Sequence, residues 1–413
     1  MDNTAVLEGV FNHFLESPQI LADREVLRHD YIPSSMPHRE QQIRHLGEMV
    51  APMLKGARCS NIFVYGKTGT GKTAVTKYVL QKLSQKASAM GSPIKVCYIN
   101  CRLAGTEYRV FSYMCGAINV NIPFTGLALG EVFDRLKNGL NTQKTTLLVV
   151  LDEIDALVKE RGDILLYELT RINEALRGSK TAVVGISNDL RFKEFLDPRV
   201  LSSLSEEEIV FQPYNADELL DILRERAKMA FSEGVLSEGA VSLCAALAAA
   251  EHGDARRALD LLRVAGELAE REHAKAVDDE HIRLAEKRIE HDRVFEAVRN
   301  LPPHSKLVLC SVYVLTKTGV KRIVTGEIFE VYCELCAQTA ASPLTQRRVS
   351  DLINELDSLG LLNTQVVSMG RYGRTKKIRL SISTNLFKNV FINDQRFEQL
   401  LSYSPKNLLT FSK

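Results

Sequence analysis

The chain has 413 residues, enough for two or three domains, and its 45% hydrophobic and 25% charged residues are ordinary for a soluble globular protein. No stretch approaches the roughly 18 apolar residues of a membrane helix, and the N-terminus lacks a basic start followed by an apolar run, so we expect a cytoplasmic protein with no membrane partner. The net charge is +2, but from Leu301 onward 15 lysines and arginines stand against 8 acids, a local charge of +7 that leaves −5 for the first 300 residues. This asymmetry indicates nucleic-acid contact by the basic part, although anionic lipid or an acidic protein would attract the same charge.

Short apolar runs alternate with amphipathic helical segments from about residue 16 to 213. Continuous apolar strands separated by helices are typical of a parallel sheet covered on both faces. We therefore predict an α/β domain over residues 1–213. The runs are NIFVYG, KVCYINC, TTLLVVLDE, TAVVGIS and EEEIVFQPY.

The first of these runs leads into a glycine-rich motif, G-x-x-x-x-G-K-T, formed by Gly66, Gly71, Lys72 and Thr73. A strand before it and a helix after it are the context that a phosphate-binding loop requires. Glycines let backbone N–H groups turn inward around phosphates, Lys72 offers a charge to the β and γ oxygens, and the Thr73 hydroxyl can ligate Mg²⁺. The motif predicts a nucleotide site.

Two carboxylates, Asp152 and Glu153, follow the buried run LLVVL. Alone, an acidic pair after a strand is usually loop chemistry. After a phosphate loop, we predict that Asp152 holds the magnesium shell and that Glu153 orients and deprotonates the attacking water.

Two further polar positions accompany this site. Asn188 ends the run VVGIS and could hold the hydrolytic water, although Ser-Asn-Asp in isolation is more often a turn or a helix cap. The pattern then becomes helical to about residue 290, which predicts a lid over residues 214–292. Arg256 and Arg257 begin one of its helices, where an arginine could report the γ-phosphate; two solvated helix arginines are the alternative.

Beyond the break RNLPPHSK, three helical patterns precede a basic hairpin, SMGRYGRTKKIRL, whose glycines indicate a tight turn between strands. We predict a winged-helix domain over residues 293–413. The hairpin tip is either a solvated loop or a finger for a phosphate backbone, and many winged helices bind proteins instead of DNA.

The third helix of this domain has Arg347 and Arg348 at its N-terminal end, and Gly360 marks where it should stop. Its apolar stripe is predicted at Val349, Leu352, Leu356 and Leu359. The hairpin candidates for DNA contact, all expected to be exposed and mostly to bind phosphates, are Arg371, Tyr372, Arg374, Lys376 and Lys377.

Eight cysteines are scattered along the chain. The one C-x-x-C, Cys333 and Cys336, has no second pair or His-x-x-His to complete a zinc site. Its spacing suits one face of a helix, so we expect core cysteines.

Together these features resemble the AAA+ ATPases. The segments YIPSSMPHREQQI, LDPRVLSSLSEEEIVFQPY and GDARRALDLLR, with the winged helix, narrow the resemblance to the archaeal origin-recognition and cell-division-control initiator family over roughly residues 15–400. The resemblance implies ATP or ADP with Mg²⁺ as cofactors. It implies duplex DNA of replication origins, the replicative helicase and paralogous initiators as partners.

The resemblance also assigns roles by position. The phosphates would be wrapped by Gly69, Thr70, Gly71, Lys72 and Thr73. Tyr214 and Arg226 resemble further nucleotide contacts at the junction of base and lid, and Arg256 corresponds to the lid sensor, with Arg257 as the second choice. Residues 103–127 occupy the place of a DNA-contacting insertion, although their apolar side chains could equally be core.

One departure concerns the arginine finger of related AAA+ subunits. Ser203 stands where the second arginine of R-V-x-S-R is expected, and Arg199 remains as a candidate. Because a trans arginine raises phosphoryl-transfer rates by roughly 10³–10⁵, its absence favours a slow switch over a ring motor. The resulting hypothesis is an ATP-regulated initiator with slow Mg²⁺-dependent ATPase activity. The alternatives are a branch-migration motor and a signalling or transcription-regulating ATPase.

Overall fold

The computed structural model describes residues 7–8, 11, 19–123, 125–204, 207–320, 323–368, 374–391 and 394–405; at 366–368, 374, 385 and 395 it describes the backbone alone. The chain divides into two compact units, Met1–Ala285 and Glu286–Lys413. The domain boundaries expected at residues 213 and 292 stay predictions. Over the described residues, no helix has the length and apolar character needed to cross a membrane.

The first unit contains a five-stranded sheet in the order β2-β3-β4-β1-β5, with every neighbouring pair parallel. This confirms the predicted parallel α/β architecture. The strands are β1 (Ile62–Gly66), β2 (Ile94–Asn100), β3 (Thr146–Asp152), β4 (Lys180–Ser187) and β5 (Glu207–Phe211). The helices of this part are α1 (Glu40–Val50), α2 (Lys72–Met90), α3 (Cys101–Ala104), α4 (Glu107–Ala117), α5 (Leu129–Gln143), α6 (Ile154–Arg161), α7 (Ile164–Arg171) and α8 (Pro198–Leu204).

The interior strand β3 shows why an apolar run without alternation forms this sheet. All seven of its residues are buried. Leu147, Val149 and Leu151 belong to the core on one face of the sheet, and Leu148 and Val150 belong to the core on the other. Because successive side chains point to opposite faces, a strand covered by helices on both sides must be apolar throughout.

The register of the sheet brings its functional loops to one edge. Tyr65 near the end of β1 lies beside Ser187 at the end of β4, and Asn100 at the end of β2 lies beside Asp152 at the end of β3. The loops that follow the strands therefore meet at the carboxyl edge, where open α/β sheets bind their ligands.

Three helices complete the first unit as a lid. Asn215 and Glu218 form a capping box at the start of the first of them, and the Asp254 side chain caps the third. The helices are α9 (Ala216–Ala230), α10 (Glu238–Ala250) and α11 (Ala255–Arg271). The helix α12 (Asp279–Arg299) contains the division between the units.

The second unit is a winged helix with an antiparallel sheet in the order β6-β8-β7. Its core contains buried residues from all three main helices and from the sheet. The elements are α13 (Pro303–Lys317), β6 (Ile323–Val324), α14 (Thr325–Gln338), α15 (Gln346–Ser358), β7 (Leu362–Ser368), β8 (Arg374–Leu380), α16 (Thr384–Phe391) and α17 (Gln395–Glu398).

The end of α15 confirms one prediction and corrects another. The helix stops before Gly360, which adopts a φ of +73°. Leu359 does not join the apolar stripe and is half exposed, because it is the last residue before the turn and the chain then places Leu361 in the core. Ile353 is fully buried and completes the stripe with the remaining predicted residues, Val349, Leu352 and Leu356.

The C-x-x-C cysteines lie where the sequence predicts. Cys336 is fully buried, Cys333 is half-buried, and both are free thiols that join the core of the second unit. Burial raises the pKa of both thiols. Core packing therefore accounts for the pair.

Candidate nucleotide-binding site and nucleic-acid interface

The phosphate loop joins the end of β1 to the start of α2. Gly69 and Gly71 have φ of +70° and +92°, values that favour glycine. A side chain at Gly69 would overlap the Asp254 carboxylate, with its Cβ 1.7 Å from Oδ1, and a Cβ at Gly71 would lie 2.9 Å from the Tyr214 hydroxyl. The loop thus has its shape because two lid residues close against bare backbone.

Lys72 is buried within this loop, and its ammonium donates to the carbonyls of Gly66 at 2.8 Å and Lys67 at 2.6 Å. Burial lowers the pKa of Lys72 to about 8; the charge of Arg256 acts in the same direction, and nearby carboxylates such as Asp152 oppose it. A bound anion would favour the charged form of the buried Lys72 ammonium, so this group is suited to bind an anion.

The two predicted carboxylate positions lie at the end of β3. Asp152 is buried, and its carboxylate accepts hydrogen bonds from the Thr73 hydroxyl at 2.9 Å, from the Glu153 backbone N–H at 2.9 Å and from the Tyr98 hydroxyl. Glu153 has a φ of +52° and occupies the N-cap position of α6, where its side chain makes no capping hydrogen bond. A left-handed non-glycine residue here is a strained position of the kind that clusters at functional sites.

The residue after β4, Asn188, is held against the neighbouring loop. Its backbone N–H donates to Asp155 at 3.2 Å, and the Ser187 hydroxyl donates to the same carboxylate oxygen at 3.1 Å. Lys159 pairs with Asp189 at 2.5 Å. The helix that begins after Glu153 thus fixes the loop that carries Asn188.

Arg39, just before α1, is absent from the predicted site residues, yet its side chain contacts the phosphate loop. It is almost fully buried and donates to the carbonyls of Thr70 at 3.0 Å, Gln212 at 2.7 Å and His38 at 2.9 Å. Its guanidinium lies 3.7 Å from the centre of the Tyr214 ring. Burial lowers the pKa of Arg39. In the sequence, Arg39 lies in the segment PHREQQ, which supports the family resemblance as a whole segment and assigns no role to the arginine itself.

Tyr214 and Arg226 both line the cavity between the loop and the lid. Tyr214 is buried, which raises the pKa of its hydroxyl. Arg226 donates to the carbonyl of Val26 at 3.0 Å, and its guanidinium lies 4.6 Å from the centre of the Tyr31 ring. Arg226 therefore holds the segment before α1, which itself forms part of the cavity wall.

The lid helix α11 begins directly on the phosphate loop. The Ala255 N–H donates to the Gly69 carbonyl at 3.2 Å, and Asp254 accepts from the Arg256 N–H at 2.8 Å. The Arg256 side chain is exposed and lines the cavity. The Arg257 guanidinium pairs instead with Glu251 at 2.9 Å.

These residues fit phosphates and Mg²⁺. The buried ammonium of Lys72 and the N-terminus of α2 suit an anion, and the oxygens of Thr73 and Asp152 are the hard ligands that Mg²⁺ prefers. Among the residues that the structure describes, no cluster of three or more His, Cys, Asp or Glu could hold a metal. A magnesium ion here would therefore depend on these two side chains and on ligand oxygens.

In the second unit, the two arginines at the start of α15 are exposed. The Thr345 side chain caps this helix, and Arg348 lies 4.0 Å from Asp351 and 3.8 Å from Glu355. Pairs at these distances are weak, so the guanidinium of Arg348 is accessible to other anions. Arg347 lies beside it at the same end of the helix.

The hairpin candidates are only partly described. Arg371 and Tyr372 lie outside the described residues, and of Arg374 only the backbone, paired with Ser368, is described. The prediction that Lys376 and Lys377 are exposed is wrong, because both are half-buried. They lie on β8, the central strand of its sheet, and the Lys376 ammonium donates to the Asn354 side chain on α15.

The predicted insertion at residues 103–127 contains both buried and exposed apolar side chains. Phe111 and Met114 on α4 are buried in the core. Leu103 and Tyr113 are exposed, at 78% and 52%.

The finger candidate Arg199 is 73% exposed at its side chain, and its guanidinium lies 3.5 Å from Asp197. Ser203, at the position of the second arginine, donates its hydroxyl to the Arg199 carbonyl at 3.0 Å. Ser203 also accepts from the Asn61 amide at its own carbonyl. This position therefore serves the local packing of α8.

Comparison with known families identifies all three parts of the chain. Residues 56–190 match an AAA domain, residues 220–287 the Cdc6 AAA+ ATPase-type lid domain, and residues 296–390 the CDC6 C-terminal winged helix domain. An ORC1-type DNA replication protein of Pyrococcus abyssi is 50% identical over 97% of this chain and 96% of its own length. That of Thermococcus onnurineus is 49% identical over 96% and 97%.

This chain belongs to the family of ORC1-type DNA replication proteins. The solved structure of the Aeropyrum pernix ORC1 protein in complex with DNA is similar over 93% of this chain and 100% of that one, with 49% identity and a TM-score of 0.84. Membership confirms the resemblance drawn from the sequence motifs, and nucleotide binding is the general property of the AAA+ fold.

Proposed function

We propose that this ORC1-type protein is an ATP-regulated replication initiator that binds duplex origin DNA and helps recruit the replicative helicase. The observation that carries this proposal is the cavity lined by Gly69, Gly71 and Thr73 of the phosphate loop and by Arg256 of the lid, with Asp152 hydrogen-bonded to the Thr73 hydroxyl. A ligand in this cavity touches both the phosphate loop and the lid. Its phosphates can therefore control how the two contact each other.

The chain's residues have distinct tasks in this proposal. The N–H groups of residues 69–73 and the Lys72 ammonium bind the phosphates of ATP or ADP, replacing the carbonyls that Lys72 now contacts. Thr73 and Asp152 hold Mg²⁺, which supplies charge neutralisation at the phosphates. Glu153 orients and deprotonates a water molecule, and the Asn188 side chain holds that water.

Regulation follows from the contact between α11 and the phosphate loop. The Ala255 N–H bonds to Gly69, and the Asp254 carboxylate lies against the same glycine. The phosphates of a bound nucleotide bring negative charge close to the Asp254 carboxylate, so they change the equilibrium between contact and separation of α11 and the phosphate loop. Arg256, exposed at the same cavity, is the group that reads the γ-phosphate.

DNA binding is proposed for the winged helix. The support is the basic N-terminal end of α15, with Arg347 and Arg348 exposed, together with the DNA complex of the 49% identical relative. A helix that enters the major groove contacts base edges through such N-terminal residues. The hairpin residues Arg371, Tyr372, Arg374, Lys376 and Lys377 are proposed to contact the backbone. For Lys376 this requires release from Asn354.

Nucleotide binding is tested by thermal shift with ADP and Mg²⁺ on the wild type and on Lys72→Ala. We expect ligand at 100 times its Kd to stabilise the wild type by about 2.7 kcal/mol and to leave the variant unchanged. Equal stabilisation of both proteins would contradict the assignment of the site.

Helicase recruitment is tested separately, by retention of the purified replicative helicase on the immobilised protein. We expect retention that depends on the nucleotide present and is lost in Lys72→Ala. If the helicase is never retained while DNA binding is intact, the recruitment part of the proposal is wrong.

A further inference from the structure

A tyrosine on β2 contacts the carboxylate at the centre of the proposed site. The Tyr98 hydroxyl donates to Oδ2 of Asp152, the same oxygen that accepts from Thr73. The other oxygen, Oδ1, accepts from the Glu153 backbone. Asp152 is only 4% exposed, so its orientation is determined by these three donors.

The position of the Tyr98 side chain is set by the β2–β3 pairing and by packing against its ring. Tyr98 lies beside Val150 in the β2–β3 register, two residues before the Asn100–Asp152 pair. The Lys77 ammonium lies 4.7 Å from the centre of its ring, and the ring packs against the core of this face of the sheet. The hydroxyl is therefore positioned by β2, a strand outside the phosphate loop.

A tyrosine hydroxyl has one proton to donate, and here the Asp152 carboxylate accepts it. A carboxylate with one fixed donor on Oδ2 keeps its remaining lone pairs in one direction.

We propose that Tyr98 is a positioning residue for the magnesium site, holding Asp152 in the orientation that supports Thr73 and the metal. The inference rests on the proposed nucleotide function and adds a residue that no motif contains. Partners that orient a metal's carboxylate typically change metal affinity by about 10- to 100-fold when they are removed.

The test uses the full-length protein and Tyr98→Phe, which removes one oxygen atom. The measurement is the Mg²⁺ concentration at half-maximal binding of a fluorescent ADP, together with ADP affinity in EDTA. We expect the Mg²⁺ midpoint to rise about tenfold or more and the affinity in EDTA to change less than about twofold. Tyr78→Phe is the matched control, because Tyr78 on α2 packs against the same core and lies outside the set of donors to Asp152.

Three results would overturn the inference. An unchanged midpoint in Tyr98→Phe, with Mg²⁺-dependent binding by the wild type, removes Tyr98 and leaves the proposed function standing. An equal loss in Mg²⁺ and in EDTA assigns the tyrosine to the shape of the pocket. A wild type without any Mg²⁺-dependent binding removes the proposed function and this inference together. Melting temperatures of both variants within about 3 °C of wild type establish that the comparison reports on the site.

Discussion

Arg39→Ala tests whether the phosphate loop depends on the guanidinium beneath it. The substitution leaves the carbonyls of Thr70 and Gln212 without their buried donor and removes the stack on Tyr214. Hydrogen bonds to a charged group contribute about 1.5–3 kcal/mol each, and a cation–π contact about 0.5–2 kcal/mol.

Return of the guanidinium to water offsets part of this loss, because burial already disfavours its charge, as the lowered pKa of Arg39 indicates. We therefore expect a net destabilisation of about 3–5 kcal/mol. For a unit of this size, that lowers the melting temperature by about 10 °C.

The assay is dye-based thermal unfolding, since the chain has no tryptophan. Arg257→Ala is the control: its partner Glu251 is 42% exposed, so the pair should contribute about 0–1 kcal/mol. Arg39→Lys keeps the charge but loses the fork of donors, and should resemble Arg39→Ala. A variant without Arg39 that melts within about 3 °C of wild type and binds ADP with unchanged affinity would refute the reasoning.

Three further predictions concern pH, DNA and turnover. Because burial lowers the pKa of Lys72 to about 8, nucleotide binding above that pH must take up a proton. The ADP Kd should therefore rise by up to about tenfold per pH unit between about pH 8 and 10. A Kd that does not change with pH, or a rise that persists in Lys72→Arg, contradicts this. The same shift makes the unliganded protein gain stability from Lys72 between about pH 8 and 10.5, where the unfolded chain alone holds the proton. Arg348→Ala should change the melting temperature by less than about 3 °C, because its pairs are long and exposed. It should weaken binding to a duplex that carries the recognised motif by about 1–3 kcal/mol, because a contact with a base edge is lost. Arg299→Ala, also exposed in the second unit, is the control, and equal affinities of all three proteins count against the interface. Arg199→Ala should leave ATP turnover within about twofold of a slow wild type; rapid turnover that this variant abolishes would contradict the slow switch.

The parallel sheet was predictable from the sequence because its buried strands are runs of consecutive apolar residues. A strand such as β3, covered on both faces, must be apolar at every position, and no surface helix has that pattern. The phosphate loop was equally clear, since glycines and Lys72 have to be contiguous to surround one phosphate group.

Arg39 and Tyr98 could not be found in this way. Each acts through contacts with residues distant in the chain: Arg39 with Thr70, Gln212 and Tyr214, and Tyr98 with Asp152. In the sequence, an arginine before an amphipathic helix resembles a surface residue, and a tyrosine within a β run resembles core. The role of Tyr98 depends on the register of the sheet, and that of Arg39 on how the start of α1 packs against the phosphate loop; local patterns contain neither.

The errors in the winged helix have a similar origin. The charge run predicts exposed side chains, but Lys377 lies between Val324 of β6 and Gln365 of β7, and Lys376 pairs with Val366 and donates to Asn354. Leu359 continued the helical period one residue beyond the point where the backbone turns. Periodicity gives the stripe, whereas the cap decides where the stripe ends.

The most direct test of the account is to recover and sequence the genomic fragments that the purified protein binds, comparing wild type with Arg348→Ala. We predict enrichment of the wild type at a few intergenic loci that share a motif, with weaker enrichment by the variant. Uniform recovery across the genome, or equal enrichment by both proteins, would contradict an origin-binding initiator that reads DNA through α15.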